Sequence, residues 1–109
     1  MNKPREIKKL GFAAEVTDAE LVYIKLKFDW SSDDIRILLA VSGQALNHLY
    51  NDSSSIVRGV VARHQYKLDI LMKDYNPVVR VIAKDQHRSL AYENAKSIAD
   101  SIFNEAGCK

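Results

Sequence analysis

Apolar residues in the middle of this chain recur as triplets spaced i, i+3, i+4. Ile35, Leu38 and Leu39 form one, Val57, Val60 and Val61 a second, and Val79, Ile82 and Ala83 a third. That spacing places all three members on one face of a helix. The β-branched residues would also suit a strand. A strand over 57–61, however, puts Val57, Gly59 and Val61 on one side and Arg58 and Val60 on the other, which separates nothing. Two further triplets, Leu46 with Leu49 and Tyr50 and Leu68 with Leu71 and Met72, predict a helix before each of the last two, with barely two turns in every helix of a unit. Between the paired segments lie "NDSSS" and "DYNP". Their Asp, Ser and Asn side chains can cap free backbone N–H groups, and Pro77 suits a first helical turn.

These segments keep a fixed phase. Arg36, Arg58 and Arg80 stand 22 residues apart, as do Ile24, Leu46, Leu68 and Leu90. The expected unit is helix, tight turn, helix, too short for either helix to be stable alone. Stacked neighbours then have to supply the burial.

At the N-terminal side, Thr17 and Glu20 have the spacing of a capping box before "DAELVYIKLKF", which predicts a helix. The alternation Ile24, Lys25, Leu26, Lys27, Phe28 within it also fits a strand. "NKPREIKKLG" reads as a short helix ended by Gly11. At the other end, Leu90, Tyr92, Ala95, Ile98, Ala99, Ile102 and Phe103 follow helical spacing and predict a longer terminal helix. The expected organisation is one domain over 1–109. Within it, 1–16 is an N-terminal cap or arm, 17–41, 42–63 and 64–86 are repeats, 87–106 is a C-terminal capping helix, and 107–109 is a tail.

Asp52 with "IVRGVVA" and Asp74 with "VVRVIA" resemble the turn-aspartate and Val-Arg signature of HEAT-like repeats. The leucine-rich-repeat-variant family, another stacked helical array, is similar. The likeness covers roughly residues 20–92. It departs from HEAT units in its 22-residue length, against about 40 or more, and in Trp30, which stands where later units have Asp. A true leucine-rich repeat would show an alternating Leu ladder and a turn Asn, both absent. The resemblance implies an all-α fold, a short α-solenoid of HEAT-like helix-turn-helix repeats with capping helices at both ends. It also implies a structural ladder of Arg36, Asp52, Arg58, Asp74 and Arg80, in which a turn Asp pairs with the Arg six residues on.

Composition adds little to this and excludes more. With 109 residues, 47% apolar and 28% charged, the chain can build one core. The single cysteine, Cys108, rules out an internal disulfide. The basic start is not followed by an apolar run of signal-peptide length, and no stretch is long enough to span a bilayer, so a cytoplasmic location is the default expectation. The net charge of +2 is unevenly spread: residues 10–57 carry −4 and residues 58–88 carry +4. His48, His64 and His87 lack metal-ligand spacing, and no nucleophile, phosphate-binding or metalloprotease motif occurs. No catalytic residue, metal or cofactor is expected.

The candidate interaction residues are therefore Trp30, Tyr50 and Tyr75, near the turns, and the basic Arg63, Lys84 and Arg88. The aromatics fit edge packing as well as partner anchoring. The basic residues fit an ordinary solvated face as well as contact with a nucleic-acid backbone. A bacterial alkylpurine DNA glycosylase family with a HEAT-like fold holds DNA on a basic concave surface, but fold alone does not carry that function across. The expectation is a non-enzymatic binding module that presents its second-helix row and adjacent turns to another protein. A nucleic-acid backbone is the alternative partner.

Overall fold

The computed structural model describes residues 13–105, with side chains through Ile102. The short N-terminal helix expected over "NKPREIKKLG" and the tail at 107–109 lie outside the described residues. Six helices follow one another: α1 (Asp18–Lys27), α2 (Asp33–Val41), α3 (Leu46–Leu49), α4 (Ser55–Arg63), α5 (Leu68–Leu71) and α6 (Pro77–Glu105). The fold is all-helical among the described residues. No helix there is long and apolar enough to cross a membrane.

α1 begins at the expected capping box. Thr17 Oγ1 accepts from the Glu20 backbone N–H at 3.1 Å, and the Glu20 carboxylate accepts from the Thr17 N–H at 2.8 Å. The strand-like alternation within it has a simple explanation: Ile24 is fully buried while Leu26 is 80% exposed. α1 buries only one side chain, Ile24, so its pattern never needed a full helical face.

The longer helices start alike. Ser32 Oγ accepts from the Ile35 N–H, Ser54 Oγ from the Val57 N–H, and Asn76 Oδ1 from the N–H groups of Val78 and Val79. Each cap satisfies donors that the first turn leaves free. α2 and α4 then end at residues with left-handed backbone, Gly43 (φ +74°) and Gln65 (φ +60°). A second left-handed residue, Ala45 or Lys67, turns the chain into the one-turn helices α3 and α5. At Gly43 a side chain would also meet the His64 ring, whose Cε1 lies 3.4 Å from an added Cβ.

The core fills from the same phases. Ile24, Leu39, Leu49, Val57, Val61, Leu71 and Val79 are fully buried, with Ala40, Ala62 and Ala83 between the helices. Ile35, Leu38, Val60 and Ile82 pack at its margin. The segment before α1 is pinned to α3. Ala45 N–H donates to Ala13 C=O at 3.1 Å, the Asn47 side chain exchanges two hydrogen bonds with the Val16 backbone, and Tyr66 Oη donates to the Glu15 carboxylate at 2.6 Å. Burial, followed by that carboxylate, pushes the Tyr66 phenol up to about 12.

The largest difference from expectation is at the C-terminal side. No boundary falls between 86 and 87, because α6 is one helix of 29 residues. Only its first part, through Ala83, packs into the core, and every described side chain from His87 to Ile102 is exposed. The described part of the expected cap, 87–105, therefore does not fold back onto the core. "DQHRSLAY" holds no Gly or Pro that would stop a helix. At 1.5 Å per residue α6 is about 43 Å long, in a molecule measuring 57 × 33 × 24 Å.

Candidate interaction surface

The arginines that mark the phase are interior groups. Arg36 donates from Nε and Nη2 to the two carboxylate oxygens of Asp52 at 2.8 and 3.1 Å. Arg58 does the same to Asp74 at 2.7 and 3.1 Å. The remaining nitrogen, Nη1, donates to a turn carbonyl six residues earlier: Trp30 for Arg36, Asp52 for Arg58, Asp74 for Arg80. Arg36 Nη2 also reaches the exposed Asp33. The side chains of the Arg58–Asp74 pair are 5% and 8% exposed.

The ladder thus differs from its expected form. Asp52 and Asp74 pair with the arginine sixteen residues before them, and only their backbone carbonyls serve the arginine six residues after. The carboxylate is oriented by its own turn, because Asp52 Oδ1 accepts from the Ser54 N–H and Asp74 Oδ1 from the Asn76 N–H. That leaves it facing the preceding layer. Trp30 ceases to be an anomaly on this geometry. Position 30 must supply a carbonyl, which any residue does, and the residue sixteen before it is Ala14, with no guanidinium to pair. At the other end Arg80 meets no carboxylate among the described residues; the residue sixteen further on is Lys96, on the straight run of α6.

Burial pushes the Asp74 carboxyl up, but hydrogen bonds from Arg58 and the Asn76 N–H, with the charges of Arg58 and Arg80, outweigh it and hold Asp74 below its ordinary value. Hydrogen bonding to the same carboxylate, opposed by burial, holds Arg58 above its ordinary value. A depressed folded-state pKa contributes stability that is complete above the unfolded value, about 4, and is lost as pH falls through the folded value. Acid unfolding followed by circular dichroism should therefore show stability falling below about pH 4. Asp74→Asn should start less stable and lose less over that range; an unchanged pH slope would remove Asp74 as the cause.

With the ladder inside, the accessible surface of the second-helix row is a groove of about 360 Å³ between α4 and the start of α6. Its walls are Ile56 and Val60 from α4 and Val78 and Ile82 from α6, with Arg63 at one end. Ile56 and Val78 are each 63% exposed, unusual for aliphatic side chains lying side by side on neighbouring helices. Gly59 forms the floor: a Cβ there would sit 3.3 Å from Ile82 Cδ1, so glycine permits the close approach of the two helices. Arg63 is exposed and has no ion-pair partner among the described residues.

The sequence-predicted surface residues do not converge on this groove. Tyr75 is 80% exposed and stacks over the Arg58 guanidinium at 4.8 Å. It shares a shallow depression with Tyr50. Tyr50 and Trp30 are half-buried against the core, with Lys67 5.7 Å from the Tyr50 ring and Lys25 5.3 Å from that of Trp30. Arg63 lines the groove, whereas Arg88 lies on the free part of α6 beside Tyr92 and is paired with Asp85. Lys84 is exposed between them. No cluster of three metal-ligating side chains occurs among the described residues.

Ile56, Gly59 and Val78 are the residues that the sequence reading missed. Their signal was available, since Ile56 and Val78 are 22 residues apart and each directly precedes a core valine, Val57 or Val79. An aliphatic residue one position off a buried helical face points sideways, toward solvent or a partner.

No family model matches this chain, and neither does any curated protein or solved structure.

Proposed function

We propose that the chain is a short HEAT-like stack acting as a non-enzymatic binding module, which holds a segment of another protein in the groove between α4 and α6. The observation that carries this reading is the pair of exposed aliphatic side chains, Ile56 and Val78, flanking a glycine floor, with the unpaired Arg63 at the end. Recurrence of caps, left-handed turns and ladder bonds at one spacing supports the stacked architecture. Such a stack offers a rigid face assembled from successive layers. The occupant that fits is a segment with apolar side chains for the groove and a carboxylate for Arg63. A nucleic-acid backbone is the weaker reading, because Arg63 and Arg88 belong to different surfaces and Arg88 is already paired with Asp85.

The test uses Ile56→Asp with Val78→Asp. Both positions lie in the first turn of their helices, where an acidic side chain suits the helix dipole, so folding should survive. Tagged wild-type and doubly substituted proteins would be used for affinity purification from the native host, with and without nuclease. The expected result is a protein partner that resists nuclease and binds the variant at least about tenfold more weakly. A partner recovered equally by both proteins would reject the groove. Recovery that vanishes with nuclease would transfer the site to Arg63, Lys84 and Arg88.

A further inference from the structure

α6 carries two different apolar faces. Its first turns bury Val79 and Ala83 and pack Ile82 at the core margin. Beyond the core a second set, Val81, Lys84, Arg88, Ala91, Ala95, Ile98 and Ile102, alternates in steps of three and four residues. That is the spacing of a coiled-coil seam. At 100° per residue the seam faces away from Val79, Ile82 and Ala83, so it lies on the solvent side of α6 even where the helix meets the core. The side chains agree with this placement. Val81 is 58% exposed, Ile98 61% and Ile102 62%, with Tyr92 beside them at 67%. No other described helix lies against this run, and a free helical segment of this length is marginal in water without packing.

We propose that this seam pairs antiparallel with the α6 seam of a second copy of the chain, in the register that sets Ala91 against the partner's Ile102 and Ala95 against the partner's Ile98. Two observations select a second copy and this orientation. The first is size. The register sets every isoleucine of the overlap against an alanine, which lets small and large side chains interdigitate to interior density. A parallel pair would stack alanine on alanine and isoleucine on isoleucine. The second is charge. Over the same span a parallel pair would set Arg88 on the partner's Arg88. The antiparallel register sets Arg88 against register position 105, where the sequence has glutamate. The flanking positions then bring Tyr92 beside the partner's Ala99 and Asn94 beside the partner's Ser101, with no like charges facing each other. The two-fold arrangement makes both halves of the interface identical, the usual geometry of a homodimer. The overlap, from 88 to 105, spans about 27 Å. It lies on the opposite side of α6 from the groove with Val78 and Ile82, so both surfaces can be occupied at once.

The experiment is sedimentation velocity on the full chain over a concentration series. Wild type should reach a dimer. Ile98→Glu with Ile102→Glu should raise the dissociation constant by at least about 100-fold, and at concentrations where both proteins are monomeric the two should melt alike, because neither side chain touches the core. Arg88→Glu alone and Glu105→Arg alone should each weaken self-association, and an equimolar mixture of the two should restore it, since each then faces an opposite charge. A wild-type chain that stays monomeric throughout, or a dimer indifferent to the isoleucine substitutions, would overturn the proposal. A mixture no tighter than its components would overturn the register.

Discussion

Arg58→Ala should destabilise the folded chain by about 3–5 kcal/mol, because it leaves a largely buried carboxylate without its counter-charge. Asp74 would keep its bond from the Asn76 N–H, but the bidentate partner of its two oxygens would be gone. The Asp52 carbonyl would also lose its guanidinium donor. For a domain of this size that loss corresponds to a fall in melting temperature of more than about 10 °C. Arg80→Ala is the internal comparison. Arg80 has no paired carboxylate and donates only to the Asp74 carbonyl, so its removal should cost about 1 kcal/mol. Equal losses at the two positions would mean that the carboxylate pair contributes nothing beyond a carbonyl hydrogen bond.

Leu68→Ala and Leu90→Ala should differ as strongly, although the two leucines occupy the same phase of the sequence. Leu68 is 8% exposed and opens the one-turn helix α5. Truncating it should cost about 2–5 kcal/mol, the loss of transfer energy plus a cavity that so short a helix cannot close. Leu90 is 36% exposed on the part of α6 that has left the core. Its truncation should cost less than about 1 kcal/mol. Chemical denaturation of both variants measures the difference, and a large loss at Leu90 would mean that the helix packs back on the stack as a cap.

That contrast shows where the sequence was readable. Ile24, Leu46, Leu68 and Leu90 share a phase, and the first three are buried, because burial against neighbouring helices selects an apolar residue there. The Thr17–Glu20 box and the Ser54 and Asn76 caps were legible for a related reason: capping is a local interaction, written within four residues. Helical periodicity, in contrast, does not say whether a helix bends. Nothing between Asp85 and Tyr92 distinguishes a turn into a cap from straight continuation except the absence of a breaker. The ladder partners were equally hidden. Spacing alone allows Arg58 to meet the aspartate six residues before it or the one sixteen after. The choice is made by the Asn76 N–H, which turns the Asp74 carboxylate toward α4.

The candidate site was less legible than the fold. Tyr75, Tyr50 and Trp30 stood out by residue type, yet two of them pack against the core and the third covers Arg58. The groove depends on Ile56 and Val78, unremarkable aliphatic residues whose exposure follows from the angle between helices. Arg63 was singled out for its charge, and the structure gives it apolar neighbours instead of a basic patch.

The ladder also bears on how such a chain can change length. Arg36 and Arg58 are each matched sixteen residues ahead, and the second pair stands 22 residues after the first, so a tandem duplication of residues 55–76 would bring its own arginine and its own aspartate in register. The new layer would pair upward and downward without altering any existing bond. An insertion between Arg58 and Asp74 that broke the sixteen-residue match would separate that buried pair. A change of length in this part of the chain is therefore constrained by electrostatics as much as by packing.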